Sequence, residues 1–147
     1  MTTYQKDMPL RWADFDANFH LRHSVYYDLG ASLRVQFLQD CGLDMAVMQQ
    51  HHLGFVLLRE EAVFRRELRM GDAVTINLRI SKLRRDYSRF SFRHEILKQD
   101  GTLAATLNID GAWIDTKIRK LAVPPAFIAD MIKFTAFTED FVWEETP

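Results

Sequence analysis

One abrupt change of period governs what this chain can build. From Ser24 the apolar residues Tyr26, Leu29, Leu33 and Phe37 recur three and four apart, with Val25, Val35 and Leu38 widening the stripe, so residues 24–41 read as one long apolar helix. A stripe that wide predicts protein on most sides of the helix. Ser24 or His23 is placed to cap it and Gly42 to end it. Mid-helix, the small trio Gly30, Ala31 and Ser32 weakens helix propensity, which makes sense where another backbone passes close. A second short helix is expected over residues 43–51, closed by Gly54. Beyond Gly54 the period falls to two. Residues 55–68, 73–83, 89–97 and 103–115 read as consecutive strands, separated by turns at Met70-Gly71-Asp72 and Gln99-Asp100-Gly101-Thr102. With a short edge strand in residues 4–12, this order describes an antiparallel sheet curled around one buried helix, an α+β arrangement. Pro124-Pro125 opens a last amphipathic helix through Ile132. Residues 134–147 read as a loosely held acidic tail, partly docked through Phe134, Phe137, Phe141 and Trp143.

The 147 residues fit a single domain, 1–147, large enough to bury a core without disulfides or a structural metal. With 19 basic and 20 acidic residues there is no reason to expect generic nucleic-acid binding or attachment to an anionic membrane. No apolar run approaches the roughly 18 residues that span a bilayer. The lone Cys41 at an apolar helix end reads as a small buried hydrophobe, and its solitude fits a reducing cytoplasm, the expected location. No Gly-x-Ser-x-Gly elbow, phosphate-cradling loop or dinucleotide fingerprint appears. His20, His23, His51, His52 and His94 lack a dependable metal-ligand spacing, so no metal is expected.

Chemistry concentrates just before the long helix. Asp14, Asp16, His20 and His23 fall within ten positions. A carboxylate held beside a helix N-terminus acts as base or nucleophile while the free N–H groups there polarise a carbonyl. The commonest work of a loop aspartate is to cap a turn, and that reading fits Asp14, which also lies three residues from Arg11.

The segment from Arg11 to Tyr26 resembles the pattern Arg-x-x-Asp/Glu-x-Asp-x-x-Gly-His-Val-x-Asn/His-x-x-Tyr of hotdog-fold acyl-CoA thioesterases, the 4-hydroxybenzoyl-CoA thioesterase superfamily. Arg11, Asp14, Asp16, His20, His23 and Tyr26 fall in register with it. Met70-Gly71-Asp72, the Asp100-Gly101 hairpin followed by Leu103-Ala104-Ala105, and Leu121-Ala122-Val123-Pro124 resemble later family segments, so the likeness covers roughly residues 8–132. Two departures stand out. Phe19 occupies the family's glycine position, and Ala31 and Ser32 stand where some branches carry a helical acid. Arg34 matches a frequent family arginine.

The resemblance implies a curved sheet wrapped on the helix, and hydrolysis of an acyl-CoA thioester by Asp16 as nucleophile or general base. His23 follows as the second catalytic candidate and His20 as the third. Phe19, Tyr26 and Trp12 are the substrate-binding candidates, and aromatic faces there suit an aryl or a quaternary-ammonium acyl group. Likeness to the branch linked to carnitine breakdown makes betainyl-CoA one expected substrate. Arg84, Arg85 and Arg89, in the basic stretch 79–98, are the candidates to hold the coenzyme A phosphates. No cofactor beyond the coenzyme A of the substrate is implied. The family also implies a homodimer or dimer of dimers with the site at the subunit interface. The rival readings are a hotdog hydratase or dehydratase and a non-catalytic acyl-binding or assembly protein.

Overall fold

The protein is described by a computed structural model over residues 2–147. Strand β1 (Tyr4–Met8) and a 3-10 turn (Trp12–Asp14) lead into helix α1 (His23–Asp40) and the short α2 (Met45–Gln50). Then come β2 (Leu53–Phe64), β3 (Val74–Arg84), β4 (Arg89–Lys98) and β5 (Leu103–Asp115). A two-residue strand β6 (Lys120–Leu121), a 3-10 segment (Ala126–Lys133) and β7 (Phe137–Glu144) complete the chain. The sheet runs β1-β3-β4-β5-β2, antiparallel throughout this path, and curls around one side of α1. The α+β hotdog expectation holds.

The period-two runs put Ile76, Leu78, Ile80, Phe92, Ile96, Leu107 and Ile109 in the core against Leu33 and Phe37 of α1, all nearly or fully buried. Each such side chain contributes about 1.5 to 3 kcal/mol of burial free energy. Gly30 lets the helix approach the sheet. A Cβ added there would lie 2.8 Å from Leu107 Cδ1. Sequence periodicity overstated the wrapping, because Asp28, Ala31, Ser32, Val35 and Gln39 face solvent. Neither Ser24 nor His23 caps α1; Arg22 holds the cap position, and its side chain makes no capping hydrogen bond.

The C-terminal segment differs most from expectation. Residues 126–133 form 3-10 turns rather than an α-helix, and residues 137–144 form a parallel strand along β3, in line with β1 on the same edge. Thr135 joins the two pieces: its hydroxyl accepts the Tyr4 N–H at 2.9 Å and donates to the Leu78 carbonyl at 2.6 Å. The tail's acids are matched to arginines, Asp140 to Arg93 (3.0 Å), Glu144 to Arg84 (2.7 Å) and Glu145 to Arg85 (3.2 Å).

A polar chain crosses the core. Arg34, 3% exposed, donates through Nη1 to His94 Nε2 at 3.1 Å and through Nη2 to Glu60 at 3.4 Å. Because Nε2 must accept, His94 carries its proton on Nδ1 and donates to the Asn77 carbonyl at 2.8 Å. Burial, then the facing Arg34, pushes the imidazole down to about 3 from 6.5. The unfolded chain therefore binds a proton that the fold refuses between those values, so stability is full above about pH 6.5 and falls as pH drops. Between pH 7.5 and 5 this group is expected to remove about 2 kcal/mol, read as a falling urea midpoint. An equally acid-sensitive His94→Gln variant would contradict the assignment.

Candidate functional site

The segment ahead of α1 is held by backbone pairing with the β2–β3 connection. Leu21 N–H donates to the Leu68 carbonyl at 2.8 Å, and Met70 N–H to the Phe19 carbonyl at 3.3 Å. His20 and Arg69 form an isolated antiparallel bridge. Residues 16–20 are thereby a closed turn: Asp16 N–H donates to the His20 carbonyl at 2.9 Å and Phe19 N–H to the Asp16 carbonyl at 3.0 Å. Phe19 pays no steric heed to its side chain, adopting φ 62° where the pattern elsewhere keeps glycine. Its ring is 60% exposed. Phe19→Gly is therefore expected to raise stability by up to about 1 kcal/mol, since the relief of left-handed strain exceeds glycine's added chain entropy. A lowered denaturation midpoint in that variant would contradict the strain.

Asp16 itself is exposed, and its carboxylate is half committed. Oδ1 accepts the N–H groups of Asn18 (2.9 Å) and His20 (3.2 Å), while Oδ2 has no protein partner among the described residues. Asp14 is buried and structural. Arg11 donates to it from the side chain (2.8 Å) and from the backbone (2.8 Å), and those bonds hold its carboxyl below the usual range. Arg22 completes the brace by donating through Nη1 to the Ala13 carbonyl at 2.9 Å.

Beside this turn, between α1 and the β2–β3 connection, lies a cleft of about 330 Å³. His20, His23, Tyr26, Phe64 and Glu67 are among its lining. Tyr26 and Phe64 meet edge to face at 5.0 Å and supply an apolar wall. Burial raises the Tyr26 phenol above its ordinary value, so it stays neutral. His20 Nε2 lies 3.2 Å from a Glu67 carboxylate oxygen. The structure thus gathers His20, His23 and Tyr26 around one cleft, with Asp16 on the adjoining turn. Trp12 is 76% exposed and, like Phe19, does not line the cleft.

The proposed phosphate ligands sit elsewhere. Arg84, Arg85 and Arg89 surround the β3–β4 turn, and the eleven residues of β3 separate that turn from the 65–72 connection by about 35 Å. Arg84 and Arg85 are paired with tail acids, and Arg85 also lies over Trp143 at 4.8 Å. Arg89 has no ion-pair partner among the described residues and lines two small clefts of about 200 and 220 Å³. Cys41 is no rival nucleophile, because burial pushes its thiol up to about 12.

Among the described residues no three His, Cys, Asp or Glu side chains cluster as a metal site. Among the described residues no helix is long and apolar enough to cross a membrane. Glu67 and Phe64 escaped sequence reasoning, since nothing local in residues 64–69 marks their pairing with residues 19–21.

A family model described as the thioesterase-like superfamily matches residues 10–132. No curated protein sequence matches the chain. Among solved structures, a Staphylococcus aureus protein in complex with CoA is similar at TM-score 0.86 and 22% identity, over 97% of this chain and 90% of that one. A DHNA-CoA thioesterase from Staphylococcus aureus is similar at TM-score 0.79 and 17% identity, over 91% of each chain. A 1,4-dihydroxy-2-naphthoyl-CoA thioesterase from Synechocystis is similar at 0.78 and 19%, over 89% of this chain and 96% of that one.

Proposed function

The chain belongs to the thioesterase-like superfamily, and on that premise we propose that it hydrolyses an acyl-CoA thioester to a free acid and coenzyme A, with Asp16 as base or nucleophile. The observation that carries the reading is the state of Asp16. One oxygen anchors the turn through two backbone N–H groups and the other is free, beside an uncapped helix start and a cleft bearing two imidazoles. Free N–H groups in the first turn of α1 would hold the oxyanion that forms when the carbonyl is attacked. His23, on that first turn, would orient water or donate to the carbonyl oxygen.

The acyl group is an aryl or short chain, or the quaternary ammonium of a betainyl group, received by the Tyr26 and Phe64 rings of the cleft wall. That one structural neighbour is described as a 1,4-dihydroxy-2-naphthoyl-CoA thioesterase and another as a DHNA-CoA thioesterase favours the aryl choice.

The working unit is a homodimer. The outer edge of β2 pairs with no strand among the described residues, and Leu57, Leu58 and Phe64 of β2 are exposed. A two-fold axis at that edge would run the two β2 strands antiparallel, exchanging their ends. The Arg84–Arg89 turn of one copy then lies at the same end as Asp16 of the other, which a single copy separates by the length of β3. There Arg89, with Arg84 and Arg85, would meet the phosphates of coenzyme A.

One observation favours a second reading. The two bonds at Oδ1 are also what an aspartate with a purely structural role would make, as in a non-catalytic acyl-binding protein. Thiol release from short, medium, aryl and betainyl CoA thioesters by the wild-type protein separates the two. Turnover of at least one is expected, and no hydrolysis of any would sink the enzymatic reading for that panel.

A further inference from the structure

Glu67 lies outside every motif of the sequence, yet it is the acid that meets an imidazole in the cleft. Its Oε2 lies 3.2 Å from His20 Nε2 and 3.4 Å from Arg69 Nη2. The carboxylate and the ring are brought together by backbone geometry: the His20 to Arg69 bridge and the Leu21 to Leu68 hydrogen bond fix the two segments in register. On its other side, His20 is tied to the candidate base, since its N–H donates to Asp16 Oδ1. His20 Nδ1 has no protein partner among the described residues.

We propose that Glu67 is a positioning residue for His20, holding the ring by Nε2 so that Nδ1 delivers the proton that the departing thiolate requires. This rests on the thioesterase reading above. The step balances. Asp16 takes a proton from water as the water oxygen bonds to the carbonyl carbon; the C–S bond breaks with its electron pair going to sulfur; the His20 imidazolium gives its Nδ1 proton to that sulfur. The products are a carboxylic acid and a thiol, and the proton on Asp16 returns to His20 or to solvent before the next turnover. The arrangement follows the logic of a histidine oriented by a carboxylate through its second nitrogen, with Asp16 as a separate base.

Arg69, shared through Glu67, and Arg65, Arg66 and His23, which line the same cleft or connection, are the other groups that face the pair. Glu67 is 59% exposed on its side chain, so solvent screens the pair and substitution leaves the fold intact. In Glu67→Gln, which keeps an acceptor for the ring N–H, kcat is expected to fall less than in Glu67→Ala. In Glu67→Ala, kcat is expected to fall about tenfold with KM nearly unchanged, and Glu67→Asp is expected to recover part of it. Unfolding midpoints of all three should match the wild type. Wild-type turnover with an unchanged kcat in Glu67→Ala, or a fall that neither Glu67→Asp nor Glu67→Gln recovers in any part, would overturn this inference alone. Absence of thiol release from the wild type would overturn the proposed function and this inference with it.

Discussion

Arg34→Ala is expected to destabilise the fold by about 3 to 5 kcal/mol, the largest single loss outside the apolar core. The guanidinium joins helix α1 to two strands through Glu60 and His94, and burial lowers it from its ordinary value while Glu60 opposes that shift. Truncation would leave Glu60 charged without its partner and His94 Nε2 without a donor, inside a region where Gly30 already lets the helix touch Leu107. The cost is therefore that of stranded polar groups, added to a cavity. A double variant, Arg34→Met with Glu60→Gln, should lose less than the sum of its two single changes, because the charge and its partner leave together. Urea unfolding at pH 7.5 measures both. A loss under about 1 kcal/mol in Arg34→Ala would mean that the three groups find water instead of one another.

Asp16→Asn is expected to lower kcat for thiol release about a thousandfold, equivalent to about 4 kcal/mol of barrier, with KM within about threefold. The substitution is a narrow one. Asparagine keeps the oxygen that accepts the Asn18 and His20 N–H groups, so the turn that carries Phe19 at positive φ should persist. What disappears is the charge and the lone pair on the free oxygen, which are what a base or a nucleophile uses. A large rise in KM at constant kcat would instead indicate a residue that binds substrate and transition state alike.

The central architecture was legible because it depends on periodicity. Residues 24–41 repeat at helical spacing and residues 55–115 at strand spacing, and no other layer arrangement buries both sets of apolar side chains. The tail was not legible. Its strand β7 forms only because β1 stops short of the end of β3 and leaves Ile80 to Arg84 an open edge, a fact of register and not of local propensity. The same holds for charge. Read along the chain, Arg84, Arg85 and Arg93 make a basic stretch, whereas folded they are answered by Glu144, Glu145 and Asp140 from the far end. Arg34 and His94 looked like one helical and one strand residue, sixty positions apart, and their bond required the fold.

At the site, the motif register located Asp16, His20, His23 and Tyr26 on one short stretch, and the cleft gathers the last three. It could not locate Glu67, whose meeting with His20 is set by backbone bonds between segments nearly fifty residues apart. Phe19 was legible as a departure from glycine, and its φ of 62° is the left-handed conformation that glycine adopts without strain. The Trp12 and Phe19 rings are uncovered in one copy, as are Leu57, Leu58 and Phe64 on the open β2 edge.

The role of Asp16 is tested most directly by thiol release from a CoA thioester that the wild-type protein hydrolyses, measured with wild type and Asp16→Asn at equal concentration and with matching unfolding midpoints. A fall in kcat of about three orders of magnitude, with the fold unchanged, is the predicted result. Equal turnover by the two proteins would remove Asp16 from the chemistry and leave it the anchor of a turn.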